Sequence, residues 1–88
     1  MRIETIRSSK KFEKGYKKLP SFIKDLAKQK ETTFRENPFH PQLKTHKLHG
    51  KEKDAWAFSI NSSYRVEFIF LNATSVLFLD VGTHDIYT

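Results

Sequence analysis

Residues 56–88 read WAFSI-NSS-YRVEFIF-LNAT-SVLFLDVGTHDIYT, and the reading of this stretch decides the fold. Apolar side chains recur at every second position, β-branched and aromatic types dominate, and two polar clusters fall where turns belong. The pattern predicts a three-stranded antiparallel meander. Cross-strand neighbours must match in character, because a slip of one residue turns every side chain to the other face. Placing Ile60 opposite Tyr64, Phe58 opposite Val66 and Trp56 opposite Phe68 gives the first hairpin one apolar face. Placing Phe70 opposite Ser75 extends that face, with Phe68 facing Leu77, Val66 facing Leu79 and Tyr64 facing Val81. The second face then carries Ala57, Ser59, Arg65, Glu67, Ile69, Val76, Phe78 and Asp80. Arg65 is expected directly across from Asp80, with His84 emerging on the same side. An arginine, an aspartate and a histidine beside two small side chains leave room for a bound group; the plainer reading of Arg65 and Asp80 is a cross-strand ion pair.

Upstream of the meander, Ile3 and Ile6 predict a short first strand over residues 1–7, pairing at a sheet edge. Ser8 or Ser9 offers an N-cap, and Phe12, Tyr16 and Leu19 then recur at helical spacing among lysines, so residues 10–19 read as an amphipathic helix. Pro20 lacks an N–H and disfavours the α conformation before it, ending that helix and opening the next. The second helix spans residues 21–36, with Phe22, Ile23, Leu26, Ala27 and Phe34 on its apolar stripe, and Asn37-Pro38 stops it. Phe12 and Phe34 are expected in the core. Residues 38–54 combine two prolines, a glycine, three histidines and a run of lysines without apolar period. They read as a long exposed loop suited to meeting an anion. The expected architecture is α+β, with two N-terminal helices packed on one face of a small, mainly antiparallel four-stranded sheet in the order β-α-α-β-β-β.

With 88 residues and one continuous pattern, the chain is expected to form a single domain over residues 1–88, burying about 60–65% of its unfolded surface. Eight Phe, three Tyr and one Trp supply a core without disulfides, and no cysteine is present, which fits a reducing compartment. No apolar run approaches the ~20 residues of a membrane span, and the N-terminus lacks a signal-peptide layout. A cytoplasmic location and no membrane partner are expected. Sixteen Lys and Arg against ten Asp and Glu leave a charge of +6, which favours an anionic partner such as nucleic acid or an acidic protein.

No metal or cofactor is expected. His46 and His49 would share a helical face only if helical, and the prolines and Gly50 argue against a helix there. A Gly-rich phosphate loop and a serine nucleophile elbow are both absent from the sequence. What does assemble suits RNA cleavage by the neighbouring 2′-hydroxyl. That reaction needs a base for the hydroxyl proton, a cation for the phosphate and an acid for the departing 5′-oxygen. Arg65 fits the cation, since its fork binds two phosphate oxygens. His84 fits the acid or base, because imidazole titrates near neutrality, and Tyr87 can stack on a base or donate to the phosphate. Lys47, Lys51 and Lys53 would hold the strand's backbone, and His49 and the small Ser59 complete the candidate RNA-binding set.

The strand, two-helix, three-strand order resembles the RelE/ParE superfamily of bacterial toxin–antitoxin toxins. So do the phrases Lys47-Leu48-His49-Gly50, Tyr64-Arg65-Val66 and Val81-Gly82-Thr83-His84-Asp85-Ile86-Tyr87, in that order and spacing. The resemblance implies a ribosome-dependent mRNA endonuclease held in check by a cognate antitoxin, with the ribosome and mRNA as partners. Within it, Arg65 matches the phosphate-binding arginine and Tyr87 the tyrosine near the C-terminus of RelE-type enzymes. His84 matches a catalytic histidine of the YafQ branch, and His46 another histidine of that branch. The catalytic set implied is therefore Arg65, His84, Tyr87 and His46. The chain departs from RelE-type enzymes at Ala57 and Ser59, where those carry lysines, and from the YafQ branch near Ser59 and Ser63, where that branch has a histidine and an aspartate. Two other readings stay open: a ParE-like toxin that binds DNA gyrase without catalysis, and a degenerate toxin that retains only antitoxin binding.

Overall fold

The computed structural model describes residues 1–50 and 54–83. In chain order it has β1 (Thr5–Ser8), α1 (Lys10–Lys17), α2 (Ser21–Glu36), a 3-10 turn (Pro41–Leu43), β2 (His46–Lys47), β3 (Trp56–Ser59), β4 (Tyr64–Asn72) and β5 (Ser75–Thr83). The strands form one sheet in the order β1-β5-β4-β3-β2. β1 runs parallel to β5, and the other three pairings are antiparallel. The α+β class and the mainly antiparallel sheet are as the sequence predicts. The sheet has five strands and not four, because His46 and Lys47, inside the segment expected to be loop, pair with Ala57 and Trp56.

Local chemistry sets the boundaries. Ser9 Oγ accepts from Phe12 N and donates to the Leu79 carbonyl, so one hydroxyl caps α1 and ties it to β5. α1 ends at Lys17, two residues earlier than expected, and Lys18 and Leu19 close back onto Gly15 and Tyr16. Pro20 is the N-cap residue of α2, and its carbonyl accepts from Ile23 and Lys24. Both helices cover the same face of the sheet. Phe34, fully buried, packs its ring against Phe58, Phe68 and Phe78 with centroids 4.8, 5.0 and 5.6 Å away, and Phe12 packs on Phe78 at 5.2 Å. Phe22 is the exception to the expected stripe. At 64% exposed, it lies one residue outside the arc of Ile23, Ala27 and Phe34 that meets the sheet.

The first hairpin has the register read from the sequence: Trp56 faces Phe68 and Phe58 faces Val66. The second does not. Asn72 pairs with Ser75 across a tight turn, with Asn72 Oδ1 accepting from Thr74 N, so two residues turn where four were expected. Irregularities between Phe70 and Asn72 and between Glu67 and Phe68 leave Leu71 on β4 and Leu79 on β5 as extra residues. Between them Phe68 faces Phe78 and Phe70 faces Val76, which moves Val76 and Phe78 into the core. Past the second bulge Val66 faces Val81 and Arg65 faces Gly82.

Candidate nucleic-acid interface

The expected pairing of Arg65 with Asp80 is not formed: the turn of two residues in place of four slides β5 two positions along β4, the extra residues Leu71 and Leu79 offset one another, and Asp80 comes to face Glu67 while Gly82 faces Arg65. Asp80 is engaged instead by α1. It is 7% exposed, accepts from Val81 N at 2.8 Å through Oδ1, and holds Lys11 Nζ of α1 at 3.3 Å through Oδ2. The aspartate therefore docks a helix.

Arg65 lies on the sheet face opposite the helices, since its neighbours Tyr64 and Val66 alternate to the helix side. In register beside it are Ser59 on β3 and Gly82 on β5. Both flanking residues are small, and Arg65 itself is half-buried. The β3–β4 turn shapes one wall: Ile60 N donates to the Tyr64 carbonyl, while Asn61 Oδ1 accepts from both Ser63 N and Tyr64 N. That use of the oxygen leaves the Asn61 amide nitrogen as a donor.

β2 pairs only with the first half of β3, so beyond it the edge of the sheet is open. There, Lys30 of α2, Gln42 of the 3-10 turn, Lys44, Ser59, Asn61 and Arg65 line a cleft of about 300 Å³. Lys30, Lys44 and Arg65 bring three cationic side chains to this space, and Ile60 and Ser62 complete its lining among the described residues. Lys44 takes a left-handed backbone, with φ at 51°, a conformation that costs a residue with a Cβ roughly 1–2 kcal/mol. The twist turns the chain from the 3-10 turn into β2 and presents the Lys44 carbonyl to His46 Nδ1 at 3.0 Å. A carbonyl only accepts, so Nδ1 carries the proton and the Nε2 of the neutral ring keeps its lone pair, available to take one. His46 is exposed, and its pairing with Ala57 puts it on the Arg65 face.

The remaining candidates are less gathered. Lys47 pairs with Trp56 and so lies on the helix-side face, away from Arg65. Phe39, Trp56 and Phe70 cluster there, with centroids 5.3 to 6.0 Å apart. His49 is exposed beyond Leu48, whose N–H donates to the Ala55 carbonyl. His40, the other loop histidine, caps the 3-10 turn through Nδ1. His84, Tyr87, Lys51 and Lys53 lie outside the described residues. Among the described residues, no group of three or more His, Asp or Glu converges as a metal site, and no helix is long and apolar enough to cross a membrane.

Lys30, Gln42 and Lys44 were not singled out from the sequence. A signal for Lys30 was present: Ile23, Ala27, Lys30 and Phe34 follow one another at helical spacing, so a lysine stands in line with the buried stripe. Lys44 sits in the basic loop but is placed by its backbone twist, which no residue type announces.

No protein-family model matches the chain, nor does any curated protein sequence. Solved structures do. A chain of the E. coli DinJ-YafQ toxin-antitoxin complex superposes with a TM-score of 0.75 at 20% identity, covering 98% of this chain and 97% of that one. The YoeB/ParE toxin from Agrobacterium tumefaciens gives 0.77 at 12% identity over 92% and 99%. The archaeal RelE-RelB complex from Pyrococcus horikoshii gives 0.72 at 16% identity over 94% and 96%. The chain has the RelE/ParE fold. Both chains are covered almost end to end in each case. On this RelE/ParE frame the arginine, the exposed histidine and the cationic cleft occupy the helix-free face and the open edge of the sheet.

Proposed function

We propose that the chain is the toxin of a toxin–antitoxin pair, a cytoplasmic, ribosome-dependent mRNA endonuclease that arrests translation. The observation that carries this reading is Arg65, flanked by Ser59 and Gly82 and lining one cleft with Lys30 and Lys44. Such a setting suits a phosphodiester, because guanidinium donors bind two phosphate oxygens at once and the lysines beside it add positive charge. The shared fold supports the class, since solved relatives of that fold are toxins in complex with antitoxins.

In the reaction, a base removes the proton of the 2′-hydroxyl, whose oxygen attacks the adjacent phosphorus. The bond to the 5′-oxygen breaks, and an acid returns a proton to that oxygen, leaving a 2′,3′-cyclic phosphate. Arg65 stabilises the crowded phosphate. His46, with its Nε2 lone pair available, and His84 are the proton-transfer candidates, and Tyr87 stacks on a base or donates to the phosphate. The cognate antitoxin is expected to be partly acidic, matching the +6 charge.

The test is induction in growing cells with pulse labelling of protein and DNA synthesis. The proposal expects protein synthesis to stop first. Loss of DNA synthesis with translation intact would overturn it in favour of gyrase binding, and unimpaired growth would leave antitoxin binding as the chain's role.

A further inference from the structure

The cleft at the open edge of β3 contains two lysines that neither the sequence nor the proposed reaction has used. Lys30 reaches it from α2, and Lys44 from the left-handed turn before β2. They come from segments fourteen residues apart in the chain and converge on a single space with Arg65. Among the described residues neither Lys30 nor Lys44 forms an ion pair, whereas Lys11 pairs with Asp80 and Arg35 with Glu31. Two like charges at one space repel one another, which weakens the fold unless an anion enters. Of the other lining residues, Gln42, Ser59, Asn61 and Ser62 supply hydrogen-bonding groups and Ile60 an apolar wall.

Resting on the reading that the partner is RNA, we infer that this cleft is a nucleotide subsite: Lys30 and Lys44 grip the phosphate next to the one held at Arg65, and Gln42 and Asn61 donate to the sugar or base. Its volume of about 300 Å³ stands at the lower end of small-ligand sites and suits a single nucleotide unit. A single strand crossing the sheet past Arg65 would leave over the open edge of β3, because β2 closes the other half. Lysines at this exit hold the strand without reading its sequence, as point charges on flexible stems do. Their role is in positioning the strand, with the proton transfers left to the histidines.

The test measures binding apart from cleavage. A short fluorescent RNA with every 2′-hydroxyl methylated lacks the nucleophile and reports affinity alone, by anisotropy across a salt series. The full chain is compared with the Lys30→Glu/Lys44→Glu double variant and with Lys10→Glu, which carries a charge reversal on exposed α1. The inference predicts that the double variant binds about tenfold more weakly than Lys10→Glu, with a salt slope shallower by about 0.7 for the one phosphate contact removed. Lys30→Arg/Lys44→Arg is expected to bind as the wild type does, and Lys30→Gln/Lys44→Gln takes the place of the glutamate pair if that pair does not fold. Equal binding by the double variant and Lys10→Glu would overturn the inference, as would a wild type that does not bind the RNA. Cleft-dependent RNA binding in cells whose mRNA stays intact would uphold the subsite and reject the nuclease reading. Cleft-independent binding with cleaved mRNA would do the reverse.

Discussion

Gly15 sits in the middle of α1, where glycine costs about 1 kcal/mol relative to alanine. Its reason is close approach: a Cβ there would stand 2.8 Å from the Val81 carbonyl oxygen and 3.3 Å from Val81 Cγ1. A backbone oxygen inside the sheet cannot step aside, so the helix would have to lift. Gly15→Ala is therefore expected to destabilise the protein by about 1–2 kcal/mol in urea unfolding, despite the gain in helix propensity. Asp80 makes a second contact at the same seam. Asp80→Ala removes a buried acceptor for Val81 N and is expected to cost about 1–3 kcal/mol. Lys11→Ala removes only the outer partner, 75% exposed, and should cost less than about 1 kcal/mol. Equal losses from the two would contradict the assignment of Asp80 as the anchor. Lys44→Gly separates stability from binding. Glycine accepts the left-handed backbone freely, so unfolding should shift by no more than about 1 kcal/mol, while RNA affinity falls with the lost charge.

At the scale of elements, α2 is held by Phe34, whose ring meets β3, β4 and β5 together. Phe34→Ala is expected to cost about 3–5 kcal/mol, a large share of a small domain's stability, and calorimetry would register it as a large drop in Tm. The helices and the first hairpin were legible because their evidence is local: Pro20 and Asn37-Pro38 bound α2, and the Asn-Ser-Ser cluster fixes the 60–64 turn. The β4–β5 register was not, because a turn of two residues in place of four, with two offsetting one-residue bulges, changes the count without changing the composition. Alternation permits Leu77 and Leu79 in the core as readily as Val76 and Phe78; packing under Phe12 and Phe34 decides between them. β2 escaped notice for a related reason. Two residues of strand have no period of their own and exist only through their partners Trp56 and Ala57.

At the scale of the molecule, a charge of +6 pointed to an anionic partner, and Arg65 was found from its place in the alternating strand. The cleft beside it was not legible, since Lys30, Lys44 and Asn61 are brought together only when α2, the 3-10 turn and the β3–β4 turn meet at one edge of the sheet. The measurement that tests the central claim most directly is a map of mRNA 5′ ends in growing cells after induction of the wild type or of Arg65→Ala. The account predicts new ends inside translated codons with the wild type and their loss with Arg65→Ala. Growth arrest by the wild type with mRNA left intact would contradict it.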